Sequence, residues 1–534
     1  MRKVSMNNGV MNSTIKSILG VLALVLINQW TVTEIANNSQ VAKLGIHPPQ
    51  LHYQPSIPKA VHKKPAAAYD RQAFHLAKRL PAGSDHLPID PYRQALETMA
   101  DQATFSTRQR RFLNQQEKNQ STPSIKLQTG WEWLGPGNVG GRTRALLFHP
   151  ENPAVMFAAG VSGGIWKSTN AGSSWQPLAD NMANINVGAL AIDPINPDTL
   201  YAGTGELYRK TLRPYSSMSG AGIFKSTDGG LTWFQLTATV NEDFMYVSDV
   251  VISPHHNKRL YAATNTGVWR SDDGGITFNQ TLNPSDGQGN PMYEGCNDLS
   301  MRSDVDDDWL LVSCASRSTD DRYYLPGLLP TACNGPCDAR VYLNQAAQHS
   351  DDWEVVLTEP GMGRTEMAIH QANQNIIYAS SVNTNGGPDL NNDGQPDLDN
   401  GLHAIFRSDD GGQSWRAQLR NTSNDLLSTQ LFSYAEGALA RSCDPNGSVW
   451  YYSAGWYNQA IAVNPLDPNQ VWVAGMEIYR SDDGGQSFGL ASHWDALFFN
   501  NPDYNGAYVH ADQHALIFHP EYDGSNNKIL YAIN

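Results

Sequence analysis

One eight-residue pattern, Ser-x-Asp-x-Gly-x-x-Trp/Phe, constrains the fold of this chain more than any other feature. Full copies are STDGGLTW (226–233), SDDGGITF (271–278), SDDGGQSW (408–415) and SDDGGQSF (481–488). A degenerate copy is STNAGSSW (168–175), with Asn170 in the Asp place. The Asp carboxylate suits such a turn because it accepts hydrogen bonds from backbone N–H groups of its own turn. The Gly supplies a positive φ, and the aromatic packs beneath the hairpin. Apolar strands lie between the copies, as in ALAIDPINPDTLYAG and AIAVNPLDPNQVWVAG, joined by Pro-x-Asn-Pro-like turns. Four strands per unit of about 45 residues predict propeller blades.

Units begin near residues 142, 186, 246, 296, 363, 457 and 512. The interval from Ser271 to Ser408 holds about three units, so the unit at 297–356 has lost its turn sequence. The expected fold is all-β, a seven-bladed β-propeller with the seventh blade incomplete. That blade stops at YAIN, after its second strand. The expectation is therefore a chain that continues beyond residue 534. A strand from 126–134 is a candidate for the blade's outer edge.

The segment ahead of the repeats reads differently. Lys16 precedes an apolar run, SILGVLALVLI (17–27), too short for the roughly 20 residues of a spanning helix. Residues 1–29 are read as a secretory signal peptide. No small-x-small cleavage site follows, so an uncleaved anchor is the alternative. Residues 30–120 form an extension, Pro-, His- and Lys-rich over 47–65 and weakly helical over 69–80 and 91–117. Residues 121–534 form the propeller. Five cysteines fit an exported protein with one or two disulfides. Cys333 and Cys337 flank Asn-Gly-Pro and suit a local loop disulfide. The formal charge of −15 argues against nucleic acid and anionic membrane surfaces as partners.

The turns resemble Asp boxes, also called bacterial neuraminidase repeats. The region 126–534 is similar to sortilin-type propellers and to xyloglucan-hydrolysing endoglucanases built from two seven-bladed propellers. WEWLGPGNVGGRTRAL (131–146), GMGRTEMAI (361–369), GWYNQAIAVNP (455–465) and HADQHALIFHP (510–520) carry that likeness. The resemblance to xyloglucanases implies a catalytic base Asp before the Gly-Gly of the first blade. Here AGVSGG (159–164) places Val161 there, and no second propeller supplies the other Asp. The Arg-Ile-Pro motif of sialidases does not occur.

Long insertions fall at 203–222, 315–338, 381–401, 419–456 and 489–509, all on the face opposite the repeated turns. Binding usually sits on such loops. Innermost strands begin at that face. Counting six residues back from the turn Pro gives Arg144, Gly188, Ser248, Asp298, Thr365, Gln459 and His514. Eight back stand Arg142, Asn186, Tyr246, Cys296, Gly363, Tyr457 and Asp512. The rows are read either as a water-filled channel with satisfied polar groups or as a binding funnel. His510, Asp512 and His514 share one strand face at alternate positions. They fit a metal, a hydrogen-bonded structural cluster or substrate contact. Asp298, Glu366 and Asp512 are candidate catalytic carboxylates, and Glu206 and Asp249 are further carboxylates in reach. Arg142, Arg144, Arg364, Tyr457, His510, His514 and Trp494 are candidate substrate-binding residues, the arginines as a carboxylate clamp.

Residues 389–400, DLNNDGQPDLDN, place Asp389, Asn391, Asp393 and Asp397 at the oxygen-donor positions of a calcium loop, with Gly394 at the sharp turn. A structural Ca2+ is expected there. The function expected first is an exported, sortilin-like monomer that binds a peptide, protein or glycan on its loop-rich face. It would be secreted, periplasmic or at the cell surface. The alternative is a xyloglucanase-like glycoside hydrolase using paired carboxylates.

Overall fold

The computed structural model describes residues 141–178, 182–206, 218–284, 295–315, 338–384, 401–421, 454–492 and 509–534. It also describes the backbone of four short strands, Phe105–Ser106, Arg111–Phe112, Ser433–Ala435 and Tyr451–Ser453. The signal, the calcium loop, the Cys333/Cys337 pair and Trp494 lie outside the described residues. Among the described residues no helix is long and apolar enough to cross a membrane.

Six four-stranded antiparallel sheets follow one another along the chain. Their innermost strands are Thr143–His149, Val187–Ile192, Val247–Ile252, Cys296–Met301, Met362–Ile369 and Ala460–Val463. Each sheet packs on the next through apolar faces, as blades of a propeller. Second strands are almost wholly buried, as in Leu200–Thr204 and Leu260–Thr264. Burial of one such side chain contributes about 1.5–3 kcal/mol.

The count corrects the expected seven blades to six four-stranded ones among the described residues. The seventh position holds a two-stranded sheet, Ala515–Phe518 with Leu530–Ile533. One side of it packs on blade six. Ile533, Ala515, Ile517 and Tyr531 pack on Leu146, Met156 and Phe148 of blade one. The Thr143 amide donates to the Asn534 carbonyl at 3.1 Å and joins the ends.

Within the expected helix over 91–117 the four described residues are strand, and the rest of that stretch lies outside the described residues. Phe105 pairs with Phe112 and Ser106 with Arg111, as a short antiparallel ladder. The only helical turns among the described residues are short 3-10 segments at Thr237–Thr239 and Glu242–Phe244.

The repeated turns take the expected geometry. In the first full copy Ser226 Oγ donates to Asp228 Oδ1 at 2.8 Å, and the Gly230 amide donates to Ser226 Oγ at 2.9 Å. The Thr232 amide and hydroxyl both donate to the Asp228 carboxylate. Gly229 and Gly230 take φ of 69° and 87°, open to Gly at little cost. The other copies repeat these bonds.

The turns also fasten blade to blade. Lys167 of blade one donates to the Gly229 carbonyl, and Lys225 and Tyr201 of blade two donate to that of Gly274. Arg270 of blade three reaches the Ala347 carbonyl, and Trp309 of blade four reaches that of Gly411. Tyr378 of blade five donates to the Pro468 carbonyl. In blade four, whose turn sequence is lost, Asp308 accepts from Ser253 and Tyr261 of blade three.

Burial pushes the turn carboxyls up, but hydroxyl and amide donors outweigh it and hold Asp273 and Asp483 at about 2. A carboxyl depressed on folding contributes stability above its unfolded value, near 3.9. That contribution is lost as pH falls towards 2. Melting temperature followed from pH 5 to pH 2 should fall less steeply in Asp273→Asn and Asp483→Asn than in the parent chain. Parallel curves would remove these turns as the source.

Candidate functional site

The innermost strands start at the face opposite the repeated turns, and five of them carry a register shift at the same place. The shifts lie at Thr143/Ala145, Val187/Ala189, Val247/Asp249, Cys296/Asp298 and Met362/Thr365. Bulges re-aim side chains and bend a strand. Arg144, Gly188, Ser248, Asn297 and Arg364 occupy the shifted positions.

Strand pairing corrects the predicted row. Asp249, Asp298 and Glu366 stand opposite Ala263, Ser313 and Ser380 at one register. Ala145, Ala189 and Ala460 hold the same place opposite Ala159, Gly203 and Ala474. Counting back from the turn put Asp298 beside Ser248 and Thr365, because the blade-four turn has no Pro to count from. Three consecutive blades thus present carboxylates where the others present alanine.

Two of these carboxylates tie blades together. Asp249 Oδ2 accepts from the Leu299 amide at 3.1 Å, on the next innermost strand. Asp298 Oδ2 accepts from the Met367 amide at 3.1 Å, one blade on again. Open strand edges need such partners for their N–H groups. Glu366 departs from the pattern and pairs with the Arg364 guanidinium. Burial raises all three carboxyls. The charge of Glu366 adds to the shift of Asp249 and, with that of Asp249, to that of Asp298. Arg364 works the other way on Glu366.

Asp249 is pushed up to about 7. A carboxyl raised on folding contributes stability below its unfolded value, and that contribution is lost as pH rises through the folded value. Denaturation midpoints should fall between pH 4 and pH 7, and this fall should shrink in Asp249→Asn. An unchanged slope in the variant would assign the pH dependence elsewhere.

A cluster of arginines adjoins this row through the Arg364–Glu366 pair. Glu206, 2% exposed, accepts from Arg144 Nε at 2.9 Å, from Arg144 Nη2 at 2.6 Å and from the Tyr457 hydroxyl at 2.9 Å, all on Oε1. Arg142 Nη2 lies 3.1 Å from Oε2. The Arg144 guanidinium stacks 4.4 Å from the Tyr457 ring centroid. Arg144 Nη1 meets His514 Nδ1 at 3.0 Å, and the His514 ring stands edge-on to Tyr457 at 4.9 Å. Arg364 Nη1 donates to the Tyr457 carbonyl at 2.8 Å. Burial, then Arg144, Arg364 and Arg142, hold His514 well below the usual imidazole range.

Arg142, Arg144, Arg364, Tyr457 and His514 are therefore brought together as the sequence suggested. Glu206 organises them. The sequence offered it only as one acid among several, because its arginine partners lie 62 residues away in the chain.

The expected His510–Asp512–His514 row is not formed. The strand begins at Ala515, and Asp512 takes φ of 76°, which ends side-chain alternation. Asp tolerates this region because its short polar side chain bonds locally. Asp512 accepts from Asn458 Nδ2 at 2.5 Å, and His510 turns to the Ala511 carbonyl. Among the described residues no three His, Cys, Asp or Glu side chains converge as metal ligands. Val161 is 3% exposed and bridged to Asn186. Cys296 and Cys314 form a disulfide across adjacent strands of blade four.

No protein-family model matches the chain. It is similar over 373 residues to a xyloglucanase from Hypocrea jecorina, at 23% identity, covering 64% of this chain and 39% of that protein. It is similar over 162 residues to a xyloglucanase from Paenibacillus sp, at 31% identity, covering 28% of this chain and 15% of that one. The chain thus matches well under half the length of these relatives. Among solved structures, a GH74 xyloglucanase from Xanthomonas campestris superposes with a TM-score of 0.44 at 18% identity, covering 74% of this chain and 51% of that one. The protein YCF48 from Cyanidioschyzon merolae gives 0.39 at 14% identity, covering 72% of this chain and 91% of that one. The propeller is read from the strand order itself, and these superpositions add nothing to it.

Proposed function

We propose that this propeller is a glycoside-hydrolase-like protein that acts on a glycan at the loop-rich mouth of its channel. The observation that carries the reading is the carboxylate row Asp249, Asp298 and Glu366 at one register of three consecutive blades. Sequence similarity to xyloglucanases favours this reading, the alternative at the outset, over the sortilin-like binding protein expected first. The residues used differ from those that the resemblance implies, since Val161 stands where a base Asp is expected.

Glycoside hydrolysis needs one protonated carboxyl to donate to the leaving oxygen and one ionised carboxylate. Asp298, raised by burial and by its two acidic neighbours, holds its proton and serves as the acid. Glu366, paired with Arg364, is the partner kept closer to ionisation and serves as the base or nucleophile. Asp249 keeps the blade contact and raises Asp298. The buried disulfide fits passage through an oxidising compartment, in keeping with export. A stabilising Ca2+ in the 389–400 loop remains part of the proposal, on its oxygen-donor spacing.

Reducing-sugar release from a polysaccharide panel tests the reading. Release from at least one glycan, lost in both Asp298→Asn and Glu366→Gln, is expected. Release that survives both substitutions would move the chemistry off these residues. Glycan binding without release would make the protein a binding module.

A further inference from the structure

The three blades of the carboxylate row differ in what fastens the strand beneath each acid. Asp249, Asp298 and Glu366 face Ala263, Ser313 and Ser380 on the second strand. The next residue along that strand is Thr264, Cys314 or Ser381. In blade three Thr264 faces Val247, whose aliphatic side chain offers no hydrogen bond. The Thr264 hydroxyl turns instead to the Gly267 carbonyl of the third strand, at 3.3 Å. Blade two does the same without an acid. There Thr204 faces Val187 and donates to the Gly222 carbonyl, beside the third strand, at 2.6 Å.

Blades four and five use this position to tie the second strand to the innermost one. Cys314 is joined to Cys296, two residues before Asp298. The Ser381 hydroxyl lies 3.1 Å from that of Thr365, the residue before Glu366. Both hydroxyls reach the Gly363 carbonyl, at 2.9 Å from Thr365 and 3.3 Å from Ser381. All four of these residues are fully buried.

Each tie sits at a register shift, Cys296/Asp298 in blade four and Met362/Thr365 in blade five. A bulge leaves a residue unpaired and disrupts the ladder locally. The strand is therefore held least by backbone bonds just where its acid projects. A group that moves a proton in a reaction has to stay within about 0.5 Å of its place. A side-chain bond across the strands at the bulge supplies the hold that the ladder lacks there. Asp249 sits on the same kind of bulge with no bond between Val247 and Thr264, and it is the acid to which the hydrolytic reading gives no proton transfer.

We propose that the Cys296–Cys314 disulfide and the Thr365–Ser381 hydroxyl pair are positioning residues, which hold Asp298 and Glu366 in place for the reaction. This rests on the hydrolytic reading above and deepens it. The disulfide acts on a strand whose acid is fixed from the far side by the Met367 amide of blade five. The hydroxyl pair acts through the Gly363 carbonyl, next to Arg364, and so sets the Arg364–Glu366 pair.

Variants of the full chain test this, each assayed well below its own melting temperature. Cys296→Val with Cys314→Thr gives blade four the Val247–Thr264 pair of blade three. Thr365→Val removes one hydroxyl and keeps the branched shape, and Thr365→Ser keeps the hydroxyl. In the cysteine variant and in Thr365→Val, kcat for sugar release should fall about tenfold to a hundredfold, the scale of a small misplacement of a reacting group, with KM unchanged. Thr365→Ser should keep the parent kcat. Deuterium exchange at the Met367 amide should rise about tenfold or more in the cysteine variant, while the amides of blade two keep their protection. A parent-like kcat in either folded variant overturns the tie it tests. So does a Thr365→Ser chain as slow as Thr365→Val. The two readings fail separately. A parent chain that releases no sugar removes hydrolysis, and Met367 exchange then decides alone whether the disulfide holds Asp298. Faster exchange in the cysteine variant keeps that tie, and unchanged exchange removes it.

Discussion

Glu366→Gln is expected to lower glycan hydrolysis about a hundred- to ten-thousandfold, the usual contribution of a positioned acid or base. The loss should appear in kcat with little change in KM, because the amide still fills the same space and removes only what acts in the transition state. The effect on stability should be smaller. Gln keeps an oxygen to accept from Arg364, whose guanidinium also donates to the Tyr457 carbonyl. Asp298→Asn should give a comparable loss in rate with a larger effect on stability, since Asp298 also accepts from the Met367 amide of the next blade. Steady-state kinetics beside melting curves separate the two. A fall in kcat that tracks the fall in melting temperature in both variants would make the row structural only.

Glu206→Ala should destabilise the propeller by about 3–5 kcal/mol, the range for breaking a buried ion pair from one side. Arg144, with 5% of its side chain exposed, would lose the Glu206 carboxylate and the two hydrogen bonds it makes to it. The Tyr457 hydroxyl would lose its acceptor as well. Glu206→Gln keeps an acceptor oxygen and should cost less. The double variant Glu206→Leu with Arg144→Met should recover much of the loss, because neither charge is then buried alone. Urea unfolding of the four chains measures this. A cost under about 1 kcal/mol for Glu206→Ala would show that water replaces the carboxylate and that the cluster is not held by it.

The propeller was legible because its turn chemistry is local. Ser226, Asp228, Gly230 and Thr232 make their bonds within a few residues, so sequence spacing and structure say the same thing. The site was legible only in composition. Arg142, Arg144, Tyr457 and His514 were expected near the channel from their distance to a turn. What joins them is Glu206, at the edge of a long insertion and remote in the chain, and no local period reveals such a contact. The carboxylate row was misread at one blade for a related reason. A register deduced from a turn Pro fails where the turn lacks one, and the Cys296/Asp298 shift then decides which side chain aligns. The His510–Asp512–His514 row failed on a single backbone angle at Asp512. Strand alternation supplies no warning of such an angle.

On the turn-bearing face, side chains of each blade reach a turn of the next. At blade six the grip passes to Asn464, which donates to the Tyr522 hydroxyl in the turn of the seventh position. Arg480, in the place of the earlier gripping lysines and arginines, folds back onto Asp482 of its own turn. Blade one and the seventh position are buckled together by the Thr143–Asn534 hydrogen bond and by apolar packing. Arg144 and His514 stand on either side of that buckle, and their 3.0 Å contact crosses it. Any loosening of the seam separates Arg144 from His514 and leaves the blade contacts of Asp249 and Asp298 in place.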